Sequence, residues 1–488
     1  MMAANLLKPL LTLVGVTAVS QGIAILCSPV LSRLYTPDQF GTYGAIIAAG
    51  TLLSVAATAR LEMAIVVPDD PRDASAIALV AGVLATLVCV AAALLWATLQ
   101  HSLPWTAVRD APAWTGYIAI AFGWLTALLQ LGTLYISRLR QYGRLAVSNV
   151  IQQTGTALMA MLLGVLALPA NGLLVARLVT QAMAAVIFAI RPAAIARAVA
   201  CALRLPWSTY RALLWRFRAF AIYTTPATLL IAVSREFLIL AFTFFSQPAA
   251  AGAYALTRMV LLAAPQFLSA AIGQVFYREA VAHIHDPSFG HLAMRFLHIL
   301  ARLSLPLFII LMLWGTELFS LVFGHQWAQA GEFAMWLAPS AFLALLNSWC
   351  GRTFEAHEKQ AKPFVIQAVF DSLSVSLVLA LLVLGHEAAT IFPWYGIIQA
   401  AYQLSLTVAI TNLLHPGIRA RLRLIGEISI LGVLAIGVHL IGRAMQQTNA
   451  LTLMAVELVL ALALSATALP GLVRQIKFFI IEQAPRSE

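Results

Sequence analysis

Arginines and glutamates stand inside runs of this chain that are otherwise apolar. Arg60 and Glu62 lie in AATARLEMAIVVP, Arg235 and Glu236 in AVSREFLIL, and Arg258 in YALTRMVLLAAP; Arg177 falls five residues past the turn that opens its run. An arginine at the centre of a spanning helix costs about 2.5–3.5 kcal/mol on insertion scales, so each is a functional candidate by default. At ~1.5 Å of rise per residue, Arg235 lies roughly 24 Å from the inner end of its helix and Arg258 roughly 9 Å from the outer end of the next. Adjacent antiparallel helices would bring these two to similar depth, whereas Arg60 lies toward the inner half. Cations strung along a path at several depths suit a large anionic substrate. Arg60, Arg235 and Arg258 are the expected anion ligands, with Arg177 contributing less. Glu62 and Glu236 are the carboxylates expected to respond to protons or Na+, the coupling ions considered. No other cofactor and no metal are expected.

Each charge also has a plainer reading. Arg60, Arg33 and Arg302 are near enough to an interface to snorkel toward water. Residues two apart on a helix do not face each other, which argues against a local Arg60–Glu62 pair. Arg235 with Glu236 could form a structural ion pair. Arg258 has no acid close by in sequence and is the hardest to explain without a cavity. Pro29, Pro226, Pro265 and Pro339 each remove a helix donor, and Pro29, Pro226 and Pro265 are taken as kinks or hinges, Pro226 bending its helix so as to aim Arg235. Gln21, Gln153, Gln181, Gln266 and Gln274 either line a hydrated path for sugar hydroxyls or bond between helices.

The elements that must position these groups are helices in lipid. Of 488 residues, 61% are hydrophobic and 10% charged, with mean hydropathy +0.90, where a soluble domain carries roughly a quarter charged residues. Apolar runs of spanning length fall near 10–31, 43–66, 74–99, 114–136, 147–168, 172–190, 219–243, 252–275, 298–322, 333–350, 364–385, 389–412, 425–444 and 451–471. Assigning connections alternately puts about 22 of the 30 Lys and Arg inside and about 3 outside. The fold class expected is therefore an all-α polytopic membrane protein of about fourteen spans, with both termini cytoplasmic and the first span retained rather than cleaved.

That asymmetry also accounts for the net charge of +11, which faces an anionic leaflet rather than nucleic acid. The four cysteines follow no ligand or disulfide spacing. His283, His285, His291 and His298 cluster in one connection without the cysteines or carboxylates a metal site would add. No Walker A, G-x-S-x-G or H-E-x-x-H motif is present, and the outside loops are too short for a catalytic domain, so no enzyme is expected.

An internal repeat organises the runs. Tyr35-Thr-Pro-Asp-Gln-Phe-Gly41-Thr-Tyr43 and Phe245-Ser-Gln-Pro-Ala-Ala-Ala-Gly252-Ala-Tyr254 are outside turns that each end in Gly-x-Tyr at a helix start. Basic connections at 138–144 and 352–362 recur at a similar offset. Six spans return the chain to its starting side, so the copies are parallel, as in transporters. The expected division is a six-helix lobe over 1–190, a basic interlobe linker over 191–218 broken at Pro206, a second lobe over 219–412, and a further helix pair with a cytoplasmic tail over 413–488.

Several stretches together resemble the polysaccharide-biosynthesis family of lipid-linked oligosaccharide flippases, within the multidrug/oligosaccharidyl-lipid/polysaccharide exporter superfamily. They are Gln21 with Ser28-Pro29, SRLYTPDQFGTYG (32–44), ATARLEMAIVVPDD (57–70), FRAFAIYTTPATLL (217–230) and AGAYALTRMVLLAAPQFLSAAIGQVFYREA (251–280). The resemblance implies a V-shaped, two-lobed transporter with a cationic central cavity. It would pass polyprenyl-pyrophosphate-linked glycan across the bacterial inner membrane for O-antigen, capsule or exopolysaccharide, with glycan polymerase and chain-length proteins as candidate partners. Arg60 and Glu62 match the family's Arg-x-Glu, and Arg258 its frequent arginine after the Gly-x-Tyr turn. The last two spans depart from the twelve described for many such flippases and are similar to the extra pair of lipid II flippases. A small-molecule antiporter of the same superfamily would instead need acids to hold cations. A non-transporting scaffold would tolerate loss of the buried charges.

Overall fold

The computed structural model describes residues 2–99, 112–166, 171–188, 200, 202–263, 265, 287–349, 353–357, 359, 361–414, 426 and 450–481. They are helical with short connections, and no strand occurs among them. Six of the helices are long and apolar enough to cross a membrane by length and composition, so the chain is a multi-pass membrane protein. Helices overlap every expected run except 425–444, which apart from residue 426 lies outside the described residues.

The chain folds as two compact units, Met1–Leu256 and Thr257–Glu488. In the first, α1 is Met2–Leu34, α2 Pro37–Thr58 and α3 Pro71–Leu99. Helix α4 is Ala113–Arg138; α5 (Tyr142–Val150) runs through a π-turn, Ile151–Gly155, into α6 (Thr156–Val165); α7 is Gly172–Phe188. Helix α8 (Trp207–Ala219) opens after Pro206 and passes through a second π-turn, Phe220–Thr224, into α9 (Thr225–Phe244), so that 207–244 is continuous. Pro226 thus sits in the first turn after a π-turn, inside that continuous run. Helix α10, Pro248–Ala263, crosses from the first unit into the second. Pro265 is helical, with neighbours outside the described residues.

Local sequence explains the boundaries. The Thr36 hydroxyl accepts from the Gln39 amide while the Gln39 side chain accepts from the Thr36 amide, a capping box with Pro37 in the first turn. Helix α1 continues through Pro29. The ring deprives the Ile25 carbonyl of its usual donor, and the Ser28 hydroxyl supplies one at 2.6 Å. Serine before proline is the local remedy for the break.

The two Gly-x-Tyr turns meet each other. A Cβ built on Gly41 would overlap the carbonyl oxygen of Pro248, and one on Gly252 would overlap that of Pro37. The relation is reciprocal: each glycine faces the proline that opens the other's helix. Helix α9 also packs on α2, with Ile239 against Gly44. Tyr35, buried at the first turn, donates to the Ala160 carbonyl at 2.7 Å, and Asn171 donates to that of Gln39 at 2.9 Å.

In the second unit, α11 (Pro287–Phe323) turns back at Gly324 (φ 106°) into α12 (Ala328–Asn347), followed by α13 (Ala361–Val383), α14 (Ala388–Leu413) and α15 (Ala450–Ile481). Helices α11 and α12 cross closely at Gly315 and Gly331, each glycine against the other's backbone. Phe333 stacks on Phe392 at 3.5 Å between α12 and α14. The final helix packs on α11, where buried Trp314, at a non-helical φ of −128°, donates to the Glu457 carboxylate at 2.7 Å.

Candidate functional site

The segment carrying Arg60 and Glu62 is not the continuous helix expected over 43–66. Helix α2 ends at Thr58. Ala59 and Arg60 take left-handed conformations (φ 47° and 53°), and Leu61–Val66 forms a 3-10 helix. Side chains other than glycine rarely occupy that region, so two in succession mark a position the surroundings hold in place. Three sets of contacts hold it. Leu61, Ala64 and Ile65 are buried against α3 and α8. Ser54 and Thr58 hydroxyls bond back along α2. Arg138, at the end of α4, donates to the carbonyls of Ile65 at 3.1 Å and Asp69 at 3.0 Å.

The left-handed turn overturns the expectation against a local pair. Off the helix, residues two apart do face each other, and Arg60 Nη1 donates to Glu62 Oε1 at 3.0 Å with Glu62 almost fully buried.

Arg177 joins them. Residues 60 and 62, 177 and 181, 126, 130 and 133, and 149 and 152 surround a cavity of about 360 Å³ wholly inside the first unit. Its wall on α4 carries Thr126, Gln130 and Thr133 at spacings of four and three, one face of a helix. Arg177 and Gln181 share a face of α7 in the same way. The π-turn in the α5–α6 helix displaces carbonyls from the regular ladder: Arg177 Nη1 donates to the Gln152 carbonyl at 3.2 Å, and the Thr156 hydroxyl to the same oxygen at 2.5 Å. The Arg177 guanidinium also lies 5.8 Å from the centre of the Phe122 ring. Gln181 donates to Thr126 Oγ1 at 2.6 Å.

Five buried polar atoms around this cavity have no hydrogen-bond partner among the described residues: Arg60 Nε, Arg177 Nε, Glu62 Oε2, Gln130 Oε1 and Gln181 Oε1. Each would cost about 1–3 kcal/mol if left unmade in a dry interior, so their convergence fits a cavity occupied by polar groups. Two guanidiniums against one carboxylate leave it one positive charge. Chemically it can hold an anion through forked donors and hydroxyls through amides.

The other expected residues lie elsewhere. Arg235 is exposed and Glu236 half-buried on α9, outside this wall. Arg258 lies on α10 within the second unit. Pro29 is on α1, outside the cavity, as is Pro226. Among the amides, Gln181 lines the cavity, while Gln266 and Gln274 lie outside the described residues. No cluster of metal-ligating residues occurs among the described residues; His283 and His285 lie outside them. Gln130, Asn149, Gln152 and Thr126 were not anticipated as lining, although the Thr126–Gln130–Thr133 stripe in an apolar run is visible in the sequence.

Comparison with solved structures assigns the fold. The chain is similar to the structure described as lipid II flippase MurJ, inward closed conformation, at TM-score 0.67 and 9% identity, over 96% of this chain and 99% of that one. It is also similar to an inward-facing multidrug resistance MATE family transporter of the MOP superfamily, at TM-score 0.54 and 12% identity, over 84% of this chain and 95% of that one. At these identities the likeness is one of fold. No curated protein matches the chain in sequence. The profile described as "Polysaccharide biosynthesis protein" matches residues 30–332, a stretch that holds both arginines of the cavity and the repeated turns, and the chain belongs to that family.

Proposed function

We infer that the protein is a flippase that carries polyprenyl-pyrophosphate-linked oligosaccharide units across the bacterial inner membrane for O-antigen, capsule or exopolysaccharide. One observation carries this reading: a cavity inside a membrane-embedded unit where Arg60 and Arg177 converge with four amides and a single, already paired carboxylate. A cation antiporter needs the opposite balance of charge. At about 360 Å³ the cavity is at the small end for ligand sites, and it suits the anionic linkage rather than a whole repeat unit. The polyprenyl tail stays in lipid while the two units exchange access from one side to the other. On this reading Arg235 and Arg258 are further candidate ligands of the anion, and Glu62, paired with Arg60, couples proton or Na+ binding to its release.

Surface polysaccharide restored in a flippase-deficient strain tests the reading. Arg60→Ala and Arg177→Ala should each abolish most of it at normal membrane abundance, and Arg177→Lys should recover only part, since charge is kept and the fork lost. Full restoration by both alanine variants would leave a scaffold or another transport activity as the explanation.

A further inference from the structure

Helix α4 has a second wall on its opposite side. Residues 128, 131, 132, 135 and 139 back an outward groove of about 720 Å³ closed by α3 and α7, while 129, 130, 133 and 134 face the polar cavity. The groove is therefore separate from the candidate anion site.

Its composition changes along its length. Leu79, Val83, Leu87, Leu128, Leu131 and Phe188 make the body apolar. At one end stand Ser75 and Tyr135, whose hydroxyls are 3.4 Å apart, with Gln141 and Arg144 beyond them. No carboxylate lines it, and Arg144 forms no ion pair among the described residues. From Ser75 to Leu87 on α3 the groove runs about 18 Å, taking ~1.5 Å per residue. Half of a hydrocarbon core is about 15 Å. The apolar body is thus long enough to cross one leaflet, and with the basic Arg138–Arg144 connection at the membrane surface its cation would stand at headgroup level.

Glycine makes the width. Gly82 opens the floor, and a Cβ there would meet only Leu131 Cδ1 at 3.9 Å. At Gly132 a Cβ would strike the Phe188 ring at 2.5 Å, so the wall residue keeps its place only against glycine.

We propose that this groove is a binding site for one anionic glycerophospholipid, its acyl chain along α3 and α4 and its phosphate at Arg144 and Gln141. Ordinary boundary lipid needs only an apolar face; a cation confined to one end of a leaflet-long groove selects an anionic headgroup there, while Thr86 at the other end is already bonded to the Gly82 carbonyl and the Trp124 indole. Because the occupant lies against the back of α4, it braces the helix that carries Thr126, Gln130 and Arg138.

Native mass spectrometry of the full-length protein in detergent, titrated with phosphatidylglycerol or phosphatidylcholine of the same chains, tests the assignment. The wild type should retain one phosphatidylglycerol at least tenfold more tightly than phosphatidylcholine. Arg144→Ala should bring the two lipids level, Arg144→Lys should keep the preference, and Gly82→Phe should lose both. Arg60→Ala, in the separate cavity, should retain lipid as the wild type does. Equal retention of the two lipids by the wild type would overturn the proposal. So would undiminished phosphatidylglycerol binding by Arg144→Ala, or a preference for polyprenyl phosphate over phosphatidylglycerol that persists when Arg60 and Arg177 are both alanine and is lost with Arg144→Ala.

Discussion

Arg177 and Arg60 reach one cavity by different routes. Arg177 is fixed by a π-turn carbonyl and an aromatic ring, and Arg60 by a left-handed turn and Glu62. A hydrogen bond to a charged group contributes about 1.5–3 kcal/mol, so losing either guanidinium should weaken anion binding at least about tenfold. Glu62→Gln should behave differently: it frees Arg60 from its partner, and anion affinity should rise while the dependence of transport on pH or Na+ is lost. Transport by reconstituted protein at several pH values and Na+ concentrations checks this; an unchanged dependence would remove Glu62 from coupling. Arg138→Ala should impair transport without touching the cavity, since it releases the carbonyls of Ile65 and Asp69. The candidate charges were legible because ionised groups are conspicuous in apolar runs. Their grouping was not: Arg60 and Glu62 meet only because Ala59 and Arg60 leave the helix, and nothing in their residue types favours a left-handed turn.

At the scale of elements, Gly41 and Gly252 have the closest approaches of any described glycines. Each glycine lies against the backbone at the start of the other's helix. Overpacking of this kind costs about 1–3 kcal/mol, more where backbone must move. Gly41→Ala and Gly252→Ala should each lower the melting temperature of purified protein, whereas Gly143→Ala, with nothing near its Cβ, should not. Melting of Gly41→Ala at the wild-type temperature would contradict the close approach. The Gly-x-Tyr repeat was visible in the sequence, and the packing gives it a reason, since two helices can start against each other only if both lack a side chain there. The π-turns were not visible. They sit in runs whose apolar residues read as unbroken helix, and one of them immediately precedes the turn that carries Pro226.

For the whole molecule, hydropathy and the distribution of Lys and Arg gave the fold class because lipid permits so few alternatives to helices. The run expected to span over 425–444 lies, apart from residue 426, outside the described residues. The charge bias predicts the sidedness: cysteine labelling should reach positions 140, 210 and 357 only from the cytoplasm, and 38, 325 and 387 only from outside. One reversed position would show a miscounted span. The terminal helix belongs to the packing of the second unit through Trp314 and Glu457, so Glu457→Leu should destabilise that unit rather than alter anion affinity.

Binding of the anionic lipid itself tests the central claim most directly. Purified full-length protein titrated with undecaprenyl pyrophosphate, read by native mass spectrometry, should bind it, and Arg60→Ala and Arg177→Ala should each weaken binding at least about tenfold, with both together weakening it further. Affinity for undecaprenyl pyrophosphate unchanged in the double variant, at wild-type melting temperature, would contradict the assignment of this cavity to the anion.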